Sequence, residues 1–227
     1  MPMARYVLRL LIVTAFLSTL SCARNASDAT AFRFPWQEKP DRVPGVKTPQ
    51  ERIHELKAIA AAPPSPGIAE QLAIEIQREQ DPQVRCHIVR ALAKVQDPKA
   101  AAVLHAGLED PEQSVQIACC EAWGKRGGAE AVQELSTVLQ AESNVDVRMA
   151  AARALGQTSH TAAVQPLADV LADNDPAIQR RAIESLKAVS GKDYGYDVQA
   201  WRQYAAGGPV QPKERSIAER LFGRSLF

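Results

Sequence analysis

Residues able to do chemistry are sparse in this chain and do not converge. It has four histidines, His54, His87, His105 and His160, and four cysteines, Cys22, Cys86, Cys119 and Cys120. Imidazoles and thiols serve as metal ligands, nucleophiles or proton carriers, and each role needs a second reactive group at a set spacing. The cysteines show no metal-ligand spacing, and His54-Glu55 is a lone His-Glu pair where a dinuclear metal centre needs several. A Gly-rich phosphate loop, a nucleophile elbow and a His-Glu-x-x-His zinc motif are all lacking. The expectation is a chain without catalytic residues, metal or cofactor.

Cys22 points to a different chemistry. Arg5 and Arg9 precede an apolar run from Leu10 to Leu20, with Ser21 before the cysteine, the order of an export signal. As a helix the run would measure roughly 16 Å against a hydrocarbon core of about 30 Å, too short to span. Leu17-Ser18-Thr19-Leu20-Ser21-Cys22 resembles a bacterial lipobox, in which the cysteine is diacylated and becomes the new N-terminus, although Thr19 stands where the strongest form has Leu. The resemblance implies that Cys22 is the membrane attachment; an ordinary signal cut near Ser21 or Ala23 is the alternative. If Cys22 is acylated, three thiols remain and cannot all pair. They read as buried small side chains, with a Cys86–Cys120 disulfide as the other reading.

Residues 1–21 read as the signal, and residues 22–47, with Pro35, Pro40 and Pro44 among mixed charges, as a flexible tether of roughly 25–30 Å. From Thr48 a pattern recurs every 31 or 32 residues. Val84, Val115, Val147 and Ile178 form one column, and Leu92, Trp123, Leu155 and Leu186 another. Such a period means a helical solenoid. Each repeat reads as two short helices. The first has apolar positions on one face, and the second carries Leu72, Leu104, Leu135 and Leu167 in its inner seam. Asp81, Asp110 and Asp175, each followed by Pro, are read as N-caps, with Ser143 or Asn144 in that place in another repeat.

Asp81-Pro82-Gln83-Val84-Arg85 with Ala91-Leu92, and Val147-Arg148 through Leu155-Gly156, resemble the short bacterial HEAT repeats related to phycobilisome lyase repeats. The resemblance implies an all-α, right-handed α-solenoid of about five HEAT-like helical pairs over residues 48–190. It also implies that Arg85 and Arg148 bond carboxylates between repeats and are structural. His54-Glu55 is similar to the His-Glu pairs by which HEAT-repeat deoxyhypusine hydroxylase binds two irons, but that family needs several such pairs. In the family the second helices line a concave surface. The exposed columns here read Ala102, Gln133, Gln165 and Ala106, Thr137, Asp169. Lys plus Arg number 27 against 26 Asp plus Glu, with no basic cluster visible along the chain. Nucleic-acid binding, which needs Lys and Arg on phosphates, is excluded. Gln133 and Gln165, with Thr137 and Asp169, suit a protein or peptide backbone instead.

Of the twelve aromatic residues only Trp123 lies inside the repeats. Tyr194, Tyr196, Trp201 and Tyr204, in residues 191–208, are read as an aromatic cap over the exposed end of the stack. Residues 209–227 follow as a tail with a short amphipathic pattern at Ile217, Leu221 and Phe222. The expected whole is a lipid-anchored cell-envelope scaffold that binds an unidentified protein or peptide and no nucleic acid. Ala23 after the cysteine favours the outer membrane by resemblance; a secreted or periplasmic protein is the alternative location. A repeat-built enzyme or accessory factor handling a prosthetic group, as lyases do, and a structural spacer are the alternative functions.

Overall fold

The computed structural model describes residues 46–210, and among these every regular element is helical. The expected signal with Cys22, the part of the expected tether up to residue 45 and the expected tail from residue 211 lie outside the described residues. The helices are α1 (Pro49–Ala61), α2 (Ile68–Arg78), α3 (Pro82–Leu92), α4 (Pro98–Gly107) and α5 (Gln113–Arg126). They continue with α6 (Gly128–Ala141), α7 (Val145–Gln157), α8 (Val164–Asp169), α9 (Pro176–Ser190) and α10 (Val198–Ala205). No helix among the described residues is long and apolar enough to cross a membrane.

Helix starts follow from the side chains at each boundary. Thr48 and Glu51 form a capping box ahead of α1, with Thr48 Oγ1 accepting from the Glu51 amide at 3.3 Å and Glu51 Oε2 from the Thr48 amide at 2.9 Å. Asp81, Asp97, Asn144, Asp175 and Asp197 cap α3, α4, α7, α9 and α10 through their side chains. Pro opens α1, α3, α4 and α9, where a missing N–H costs nothing. Asp110 departs from the expectation: α5 begins three residues later, at Gln113, and the cap position belongs to Glu112. Pro111 and Glu112 form a bend there, and Asp110 accepts the Glu112 amide at 2.9 Å from outside the helix.

The helices pair and stack as a two-layered α-solenoid. First helices α1, α3, α5, α7 and α9 pack each on the next, while in the second layer α2 touches α4 and α8 touches α10. The valine and leucine columns of the first helices are fully buried, as is the Leu72, Leu104, Leu135, Leu167 seam of the second. Full burial of one such side chain stabilises by about 1.5–3 kcal/mol, and helices of this length are marginal without it.

Small residues set how closely the first helices approach. A Cβ on Gly124 would lie 3.0 Å from the Cα of Ala154, and one on Gly156 would lie 2.9 Å from Cβ and 3.0 Å from Cα of Ser185. The fourth pair is irregular. Its second helix, α8, is six residues long, carries Pro166 in its first turn, and is flanked by 3-10 turns at Thr161–Ala163 and Val170–Ala172.

The end of the stack is closed by α10, which packs on both α8 and α9. Trp201 is fully buried and its Nε1 donates to the Gly195 carbonyl at 3.1 Å. Tyr194 meets it edge-on at a centroid distance of 4.9 Å, and Tyr204 at 6.0 Å. Tyr196 corrects the expected cap: it is 61% exposed and lies outside this cluster. Gly195, at φ 63°, turns the chain between Tyr194 and Tyr196, and the Tyr196 ring sits under the Lys187 ammonium at 5.3 Å.

Candidate protein-interaction face

One side-chain system ties successive repeats together. In the loop before each of α3, α5, α7 and α9 an acid, Glu79, Asp110, Glu142 or Asp173, accepts the backbone amide two residues on at 2.8–2.9 Å. Arg85, on α3, reaches back to the Gln80 carbonyl at 3.1 Å and forward to Asp110 through two bonds of 2.9 and 2.8 Å. Arg148, on α7, reaches back to the Leu139 carbonyl at 3.1 Å and forward to Asp173. Arg52, on α1, pairs with Glu79. In the same position Gln116 and Gln179 reach only the loop behind them, bonding the carbonyls of Asp110 at 3.0 Å and Asp173 at 2.6 Å. Arg148 and the Asp175 amide hold the Asp173 carboxyl below the usual carboxylate range. The hydrogen bond and charge of Asp110 outweigh burial and raise the Arg85 pKa.

The second helices present a different surface. Ala102 and Ala106 on α4, Gln133 and Thr137 on α6, and Gln165 and Asp169 on α8 are all exposed. The Thr137 hydroxyl donates to the Gln133 backbone carbonyl at 3.2 Å, and the Gln133 side-chain amide makes no hydrogen bond among the described residues. Gln165 Nε2 donates to Asp169 at 2.7 Å. Between α8 and α10 a recess of about 300 Å³ is lined by Gln165, Asp169, Arg202 and the alanines 168, 205 and 206. The face therefore offers amide donors and acceptors, one carboxylate and one guanidinium over a floor of methyl groups.

Polar rungs link neighbouring second helices, and sequence reasoning missed them. Lys99 on α4 pairs with Glu70 on α2 at 2.9 Å, and His105 on α4 with Glu134 on α6 at 2.8 Å. The Glu134 carboxylate raises the His105 pKa through its hydrogen bond and charge. Each rung joins residues 29 apart, two or three short of the repeat, so column matching passes over them.

The groups first considered for chemistry are engaged elsewhere or dispersed. His54 is exposed, and Glu55 beside it pairs with Lys47 at 2.6 Å. Cys86, Cys119 and Cys120 are buried free thiols. Burial pushes the Cys119 pKa well up and that of Cys120 to about 12, so both are protonated and poorly nucleophilic. Among the described residues no three His, Cys, Asp or Glu side chains gather as a metal-binding group.

Comparison with known proteins agrees with this architecture. A solved structure of human deoxyhypusine hydroxylase in complex with glycerol matches with a TM-score of 0.50 and 22% identity over 58% of this chain and 46% of that one. The chain thus spans less than half the length of that protein, and the likeness is one of fold. No curated protein matches the chain. The model of HEAT repeats matches residues 69–144 and 135–199. These stretches together cover more than half of the sequence, and the chain belongs to the HEAT-repeat family.

Proposed function

We propose that this protein is a membrane-tethered envelope scaffold that holds a protein or peptide segment on the exposed face of its second helices. The observation that carries this reading is the composition of that face. Gln133 offers an unengaged amide, Gln165 and Asp169 stand beside the recess with Arg202, and the remaining exposed column positions are Ala102, Ala106 and Thr137. Amide side chains both donate to and accept from a peptide backbone, and small neighbours leave room for one to approach. The HEAT architecture supports the reading, because stacked repeats build extended surfaces with no need for converging reactive groups. The lipobox-like stretch ending at Cys22 supports the tether.

Photo-crosslinkers placed singly at positions 133 and 165 in the native envelope should capture one and the same partner, and Gln133→Ala with Gln165→Ala should abolish its co-purification. Capture of unrelated proteins from the two positions, or an unchanged set of partners in the double variant, would remove the scaffold reading. For the tether, Cys22→Ala should release the protein from salt-washed membranes.

A further inference from the structure

The fold sorts charge that the sequence averages away. The five first helices carry eleven Lys and Arg against five Asp and Glu, whereas the five second helices carry three against five. The expectation that the chain holds no basic cluster is therefore corrected for the first layer. Much of that charge is engaged internally: Arg52, Arg85 and Arg148 by loop acids, and Arg126 by the carbonyls of Val95 and Asp97. Towards the C-terminal end, Arg153 pairs with Glu121, and Arg180 and Arg181 with Glu184.

Among the first helices, the unengaged cations lie in the first three pairs. Lys57 on α1, Arg90 on α3 and Lys125 on α5 are exposed and make no ion pair or hydrogen bond among the described residues. Lys57 and Arg90 are each the ninth residue of their helix, so stacking sets them side by side. Lys94, just past α3 and one repeat before Lys125, is exposed and donates only to the Ala60 carbonyl at 3.2 Å. Glu121 shares the row of Lys57 and Arg90, and Arg153 already neutralises it at 2.8 Å. The field reaches His87 between them: after burial, the charges of Arg90 and Lys57 hold its pKa below the ordinary histidine value.

We infer that this face lies against an anionic lipid surface, with Lys57, Arg90, Lys94 and Lys125 on the lipid phosphates. The inference deepens the tethered reading and rests on it. The cations occupy the pairs that directly follow the segment expected to bear the anchor, within the tether's reach of a bilayer. The second-helix layer, with Gln133 and Gln165, then faces away from the membrane. A basic face beside a lipid anchor adds an electrostatic attachment to the acyl one, and it weakens as salt screens it.

The test uses the full chain made without acylation as Cys22→Ala, so that vesicle binding reports on the face and not on the anchor. Cosedimentation is measured with vesicles of phosphatidylcholine alone and with phosphatidylglycerol added. Lys57→Glu, Arg90→Glu and Lys125→Glu combined should weaken binding to the anionic vesicles by about tenfold or more and leave the neutral ones unaffected. A neutral triple, with Gln at all three positions, should fall between, and circular dichroism should report the same helicity for all. Binding to anionic vesicles that is equal in the parent and both triples overturns the inference. So does a parent that binds duplex DNA of equal phosphate concentration more tightly than the vesicles, through the same residues. Retention of Cys22→Ala on salt-washed cell membranes would count against the anchor alone.

Discussion

Gly156 shows how much one hydrogen atom in place of a methyl group decides in this molecule. In an exposed helix interior, Gly→Ala stabilises by about 1 kcal/mol because Ala loses less backbone freedom. Here the added Cβ would press on the Cβ, Oγ and Cα of Ser185, and Cα belongs to the backbone of the next first helix. Gly156→Ala is therefore expected to destabilise by about 1–3 kcal/mol, read as a lower urea midpoint at unchanged slope. A raised midpoint would mean that α7 and α9 can part without cost. The sequence shows Gly156 closing the Leu155 column, but nothing in one chain tells which neighbour it must admit. Sequence reasoning likewise placed Cys119 among small core residues, where the structure buries it; the contact of its Sγ with Gly107, where a Cβ would lie 2.4 Å away, needs three dimensions.

Among the elements, the Arg and Gln at the fourth position of the first helices divide the junctions into two kinds. Arginine is long enough to hold the loop behind and the acid ahead, and glutamine holds only the loop behind. Glu142 is the acid left without an arginine; the Asn144 amide is the main cause of its lowered pKa. Gln113 crosses that junction instead, to Asn144 and Asp146 at 3.2 and 3.1 Å. Gln116→Arg should supply the missing bridge and stabilise by about 0.5–1 kcal/mol, the scale of a partly exposed pair. A thermal melt would show the gain, and the same gain in a Glu142→Gln background would refute the bridge. The helices themselves were legible because the 31 or 32-residue period, the buried columns and the Asp-Pro starts agree. Asp110 misled because Asp followed by Pro suits a helix start, whereas Pro111 and Glu112 here form a bend before the helix begins. The role it holds in fact, two residues ahead of a cap, is filled by Glu in two repeats and Asp in two, which blurs the column.

At the scale of the whole molecule, the stack must end, and its C-terminal end is closed in two ways. Arg180, Arg181 and Glu184 cover α9 with charge, and Trp201 fills the space under α10. Trp201→Ala should cost about 3–5 kcal/mol, whereas Tyr196→Ala should change stability by less than about 0.5 kcal/mol. Equal effects in chemical denaturation would mean that the two residues share one cluster. That difference was hidden in the sequence, because aromatic composition counts both residues and only the turn at Gly195 separates them. The charge sorting between layers was hidden for a related reason: a net charge near zero is a sum, and helix alternation distributes its terms to opposite faces. The junction at Glu142 carries a last consequence. Largely buried arginine–acid staples cross the second and fourth junctions and Arg52–Glu79 the first, while the third has the more exposed Arg153–Glu121 pair beside amide bonds and packing. An exposed pair contributes less than a buried, doubly bonded one, so under load the solenoid is a spring of unequal coils whose third turn yields first, and a partner that bends the stack would do so about that turn.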